Sequence, residues 1–166
     1  PQPKPTPKPT PKPVPCPPHQ LPPGHPPVPC PMPPPPPPPP ACSVLPVLGF
    51  GQIWYSNTQV RNALGCALAP EYGLSAYEQY FKGGYAVGDM NTKMVYAMYD
   101  NRTWSTFPTN FDPAAPSPYL VPPLGGQYLP RPVAASMQQF QGGLMLWTAS
   151  KGFYVLYNNG AWQFLN

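Results

Sequence analysis

The chain has 166 residues, 34 of them proline, and carries nine lysines and arginines against five acids for a formal net charge of +4. Three of the four excess positive charges are Lys4, Lys8 and Lys12 near the start, which argues against a nucleic-acid reader with a concentrated basic face. No apolar run is long enough to span a bilayer, so membrane insertion is not expected.

Of the 34 prolines, 24 lie in the first 40 positions, which divides the chain into a proline-rich arm over residues 1–41 and a small β-rich domain over 42–166. Residues 1–15 alternate proline with Gln, Lys, Thr or Val, and Pro33 to Pro40 form one uninterrupted run. Each proline fixes φ, removes an amide donor and pushes the preceding residue toward extended backbone, so polyproline II is expected throughout. At about 3.1 Å per residue such an arm reaches on the order of 120 Å, several times the radius of gyration of about 14 Å expected for the domain. It therefore cannot be satisfied by its own domain, and other copies of the chain are its expected partners, with Pro33, Pro36 and Pro40 as candidate assembly contacts. Thr6 and Thr10 sit in the proline context of glycosylated stalks and are candidate O-glycosylation acceptors.

Four cysteines at low charge density suit an oxidising, extracellular or cell-surface setting. Cys16 and Cys30 would stand about 43 Å apart in a straight polyproline II rod, too far for a disulfide unless the arm bends near Gly24 or each pairs elsewhere. Cys42 stands just after the proline run, beyond Ala41, and has Cys66 as one candidate partner, stapling the base of the arm to the domain; three intrachain connectivities remain open among these four disulfide candidates. His19 and His25 fit no common metal spacing, and neither metal nor cofactor is expected.

In the domain, Asn57 to Gly65 has the signature of a short helix, with Ser56 or Asn57 as N-cap and Gly65 as stop. An internal repeat follows. Phe81-Lys82-Gly83-Gly84 aligns with Phe140-Gln141-Gly142-Gly143, and the run from Met94 to Trp104 aligns with that ending at Trp162. The offset drops from 59 (140 − 81) to 58 (162 − 104), so one residue is lost in an intervening loop. Each copy, about 80–107 and 139–165, predicts a three-stranded antiparallel meander, with Asp100-Asn101 and Asn158-Asn159-Gly160 as tight turns. The fold class expected is mainly β: two three-stranded meanders with one short helix, joined by a proline- and glycine-rich linker over 112–132. Asn101-Arg102-Thr103 is a formal N-glycosylation sequon.

Gly51-Gln52-Ile53-Trp54, the stretch from Leu64 to Glu71, the pattern Phe140-x-Gly-Gly-x-Met145-x-Trp147, and Tyr154-Val155-Leu156 with Gly160-x-Trp162 resemble the tandem modules of secreted and surface bacterial proteins, distantly akin to LGFP repeats. The likeness covers roughly 48–107 and 137–165, and departs from the Leu-Gly-Phe-Pro pattern at Cys66-Ala67. The resemblance implies cell-surface or cell-wall association rather than catalysis.

Catalysis has thin support: the domain holds no histidine, and Glu71 with Glu78 is the one carboxylate pair that invites a glycosidase-like reading. A carbohydrate-binding module is the serious rival to a self-assembling one, because Trp54, Tyr55, Trp104, Trp147 and Trp162 offer stacking surfaces, though aromatics at this density also serve plain packing. Among these, Trp54, Tyr55 and Trp147 are also candidates for an aromatic assembly surface. The leading expectation is an extracellular structural glycoprotein that builds a filament or surface layer through its arm; the alternative is a glycan-binding surface module on a proline-rich stalk.

Overall fold

A computed structural model describes residues 41–114, 119–120 and 128–165. Residues 1–40 of the arm lie outside the described residues, and with them Cys16, Cys30, Thr6, Thr10, Pro33, Pro36 and Pro40. The domain opens with two short helices, α1 (Leu48–Ser56) and α2 (Thr58–Leu64), where the sequence pattern predicted one. The predicted helix is α2: the Asn57 side chain accepts from Val60 N–H, and Gly65 ends the helix at φ +67°. α1 escapes a propensity reading because LGFGQIWYS contains two helix-weakening glycines. Packing requires the first of them, since a Cβ on Gly49 would come within 2.3 Å of the Phe153 ring.

Eight strands follow: β1 (Tyr72–Phe81), β2 (Gly84–Asp89), β3 (Met94–Tyr99), β4 (Trp104–Pro108), β5 (Arg131–Phe140), β6 (Gly143–Thr148), β7 (Gly152–Tyr157) and β8 (Trp162–Leu165). They form one antiparallel sheet in the order β4-β3-β2-β1-β5-β6-β7-β8. The repeat unit is thus a four-stranded meander, which corrects the three-stranded one expected. The strands overlooked are the central pair β1 and β5, whose sequences YGLSAYEQYF and RPVAASMQQF are poor in β-branched residues and rich in Gly, Ser, Gln and Pro. They nevertheless share nearly the same burial profile, and β5 starts inside the stretch that read as linker, at Arg131 and Pro132.

The two meanders meet along β1 and β5 with Ser75 opposite Ala134. These two residues are themselves repeat mates (134 − 75 = 59, as 140 − 81 = 59), so a pseudo-two-fold axis passes between them, normal to the sheet. The lost residue falls between strands: four residues join β2 to β3 and three join β6 to β7. The sheet curls until its two outermost hairpins touch. Thr103 bridges Ala161, Trp104 N–H donates to Gly160 O (2.9 Å), and Trp162 N–H donates to Arg102 O (3.0 Å).

Both faces of the curled sheet are buried, so the strands alternate between two apolar environments rather than between core and water. The concave interior packs Tyr85, Met98, Met137, Leu146, Tyr154 and Leu156. Burial pushes the Tyr96 phenol up to about 12 and the Tyr154 phenol still higher. On the convex side of the second meander, Phe50, Trp54, Val60 and Leu64 of the helices cover Phe140, Met145 and Val155, each side chain contributing about 1.5–3 kcal/mol of transfer free energy. The convex side of the first meander is covered instead by Phe111 and Leu120 of the β4–β5 connection. Cys42 and Cys66 are bonded and tie the start of the domain to the segment after α2.

Candidate functional site

The inner face carries, at one end of the β1–β5 pair, an ionic cluster in which a buried carboxylate meets an exposed guanidinium. Glu78 is 1% exposed and lies opposite Arg131 in the strand register. Its Oε1 accepts from Arg131 Nε at 2.6 Å, and its Oε2 accepts from Tyr85 Oη at 2.5 Å and from the Ser150 hydroxyl. Burial pushes the Glu78 carboxyl up, but the hydrogen bonds from Ser150, Tyr85 and Arg131 and the adjacent guanidinium outweigh it and hold the carboxyl below its ordinary value. The Tyr85 phenol is driven far upward by its own burial and by donating to that carboxylate.

Beside this cluster opens a cavity of about 460 Å³ lined by Glu78, Tyr80, Tyr128, Leu129 and Arg131. Tyr80 is its centre: Lys151 Nζ lies 5.0 Å from the ring centroid and the Arg131 guanidinium 5.9 Å, while the Tyr128 ring stands perpendicular to it at 6.2 Å. Tyr128 and Leu129 are 62% and 72% exposed, so the rim is apolar and open. On the cavity wall the Arg131 guanidinium is paired with Glu78, and Lys151 sets a second cation over the Tyr80 ring.

The pseudo-symmetry shows what is special about this end. At the other end of the β1–β5 pair, Tyr72 lies opposite Met137 with its hydroxyl 3.7 Å from the sulfur. Tyr72 and Met137 are the repeat mates of Arg131 and Glu78 (72 + 59 = 131; 78 + 59 = 137), so one end of the axis is an ion pair and the other an aromatic–thioether contact. Composition pointed to none of Tyr80, Tyr128, Arg131 or Lys151. An alignment of the repeat carried one strand further toward the N-terminus would have flagged Glu78 and Arg131 as the mismatched pair.

Glu71 and Glu78 are not brought together. Seven residues of extended chain at about 3.3 Å each separate them by roughly 23 Å, and Glu71 lines a different cavity of about 230 Å³ on the convex side with Leu48, Phe50, Ser136, Trp147 and Phe153. Three donors on its two oxygens hold the Glu78 carboxyl in its ionised form.

Of the aromatic candidates, Trp54 is fully buried with its indole N–H on Gly65 O, and Trp104 and Trp162 bond to the Tyr157 and Tyr99 carbonyls at the hairpin contact. These three are packing residues, not a stacking platform. Tyr55 is 49% exposed, and Trp147 is half-buried at the convex cavity. Asn101 is exposed in its turn, where its Oδ1 accepts from the Thr103 N–H and hydroxyl. Among the described residues no three His, Cys, Asp or Glu side chains gather, and no helix is long and apolar enough to cross a membrane.

No family profile, no curated protein and no solved structure matches this chain.

Proposed function

We propose that this chain is a non-catalytic extracellular module whose domain binds an acidic saccharide at the Tyr80–Tyr128 cavity, displayed on the proline-rich arm. The observation that carries the reading is one open cavity that joins an exposed tyrosine, Tyr128, to the Arg131 guanidinium, with Lys151 as a second cation over the adjoining Tyr80 ring. Pyranose rings stack on aromatic faces through their axial C–H bonds, and a carboxylate or sulfate on the sugar meets Arg131 and Lys151. The volume falls in the range of roughly 300–1,000 Å³ typical of small-ligand sites. The resemblance to surface modules and the disulfide both support an extracellular placement.

Isothermal titration of the chain with neutral and uronate-bearing oligosaccharides tests this. Binding of the uronates, weakened by Tyr128→Ala and by Lys151→Gln, is expected; heat-silent titrations with both classes would remove the reading.

A second reading, self-assembly of copies through the arm, is favoured by a different observation. Leu45, Val47 and Leu48, just after the arm in sequence, are 52%, 55% and 75% exposed, and Leu48 lines the convex cavity with Trp147. An apolar rim of this kind suits a protein contact.

A further inference from the structure

We infer that the convex cavity at Trp147 is a receptor for a proline-rich segment, namely residues 1–15 of a second copy of this chain; the inference rests on the assembly reading above. The first support is the pseudo-two-fold. Ser136, Trp147 and Phe153 are the repeat mates of Tyr77, Gly88 and Val95 (77 + 59, 88 + 59, 95 + 58). In the first meander that surface is occupied: Leu120 is fully buried over it, with its side chain 2.9 Å from where a Gly88 Cβ would stand. The Gln79 amide holds this covering chain, accepting from Leu120 N–H and donating to Tyr128 O. In the second meander the same surface is a cavity. Gln138, the mate of Gln79 (79 + 59 = 138), donates to Ala69 O, and its buried Oε1 has no partner among the described residues.

The second support is the chemistry of the lining. Trp147 and Phe153 pack at 6.5 Å with their planes inclined by 48°, an aromatic wedge into which a pyrrolidine ring fits. Three of the four tryptophans spend their indole N–H on backbone carbonyls, whereas that of Trp147 has no acceptor among the described residues. A polyproline II strand presents carbonyls and no competing amides, and aromatic grooves that bind it use such lone donors. Ser136, which lines the same cavity, adds a hydroxyl to the indole N–H as a second donor.

Charge and backbone geometry complete the case. Glu71 lines the cavity, and residues 1–15 carry Lys4, Lys8 and Lys12 and no acid. Leu48, on the rim, holds φ at +48°, a left-handed conformation unfavourable for a branched side chain that nevertheless leaves it 75% exposed beside the groove. The Leu48 side chain thus stands at the mouth of the cavity, open to an apolar partner.

The test uses the full chain and a labelled synthetic peptide of residues 1–15. Fluorescence anisotropy should show saturable binding that Trp147→Ala weakens by about tenfold or more, and Trp147→Phe, which keeps the packing and removes the N–H, by about fivefold. Glu71→Gln should erase the affinity difference between the natural peptide and one with its three lysines changed to glutamine. Sedimentation equilibrium should show concentration-dependent association that Trp147→Ala reduces in parallel, with thermal melts confirming that both Trp147 variants stay folded. If the chain associates but neither Trp147 variant affects association or peptide binding, this site is wrong and the assembly reading survives. A chain that remains monomeric at all concentrations overturns both.

Discussion

Trp104 and Trp162 each reach across to the other's hairpin: the Trp104 indole donates to Tyr157 O at 2.8 Å and the Trp162 indole to Tyr99 O at 2.9 Å. Tyr99 and Tyr157 are themselves repeat mates, so the two bonds are one interaction made twice about the pseudo-axis (157 − 99 = 58; 162 − 104 = 58). Together with the Thr103–Ala161 bridge they fasten the outer hairpins of the sheet, where unpaired edge strands would otherwise invite foreign pairing.

Replacing either tryptophan by phenylalanine keeps most of the packing and removes one of these bonds, at a cost of about 1 kcal/mol each. Because both bonds hold the same closure, the double variant should lose less than the sum of the two singles. Urea titration of the four proteins in a double-mutant cycle measures the difference; strict additivity would show that the hairpins do not close cooperatively.

This closure marks how far the sequence could be read. The repeat, the tight turns, the helix α2 and the equivalence of Trp104 with Trp162 were all legible, because Gly, Asn and Trp at fixed spacing report local geometry directly. β1 and β5 were not, since their buried polar residues bond to partners far along the chain: Gln79 to Leu120 and Tyr128, the Gln138 amide nitrogen to Ala69, and Glu78 to Arg131 and Ser150. Nothing local announces such bonds. The inner cavity was illegible for the same reason, as Tyr128 and Arg131 come from a stretch whose prolines and glycines resemble a linker.

Stability should follow the ionisation of Glu78. Its carboxyl is held below the ordinary 4.5 in the folded chain, so the unfolded state binds the proton more readily and the contribution is complete above that ordinary value. It is lost as pH falls through the folded-state value. Glu78→Gln should therefore be less stable than the parent at neutral pH, by about 1–3 kcal/mol for the weakened buried hydrogen bonds. The gap should narrow on acidification below the ordinary glutamate range; thermal melts of both proteins across pH 2 to 7 check the sign, and a gap that widens toward acid would contradict it.

The Cys42–Cys66 bond closes a loop with a sequence separation of 24. Loop-closure entropy for a span of that size is worth about 3 kcal/mol. The Cys42→Ser, Cys66→Ser double variant should melt at lower temperature by roughly that amount. The first protection lost in hydrogen exchange should fall in α1 and α2, which the bond holds against the sheet.

The two Phe-x-Gly-Gly turns look alike in sequence and should respond differently to alanine. At Gly83 the backbone is left-handed, φ +92°, but nothing lies within 4 Å of an added Cβ, so Gly83→Ala should cost only about 1 kcal/mol of backbone strain. At Gly142 the same atom would fall 2.0 Å from the Ala63 carbonyl oxygen at the end of α2. Gly142→Ala should push the helix off the sheet and cost about 3 kcal/mol or more. Denaturation midpoints of the two variants rank them, and equal midpoints would refute the contrast.

The axis between Ser75 and Ala134 carries an implication for ancestry. An antiparallel strand pair with mates facing each other across a two-fold is the interface a lone four-stranded meander would form with an identical twin. Fusing the twins in one gene frees each half from serving both roles. One flank can then keep a carboxylate and a guanidinium where the other keeps a thioether and a phenol, and one outer surface can be sealed by the joining peptide while its counterpart stays available to a guest.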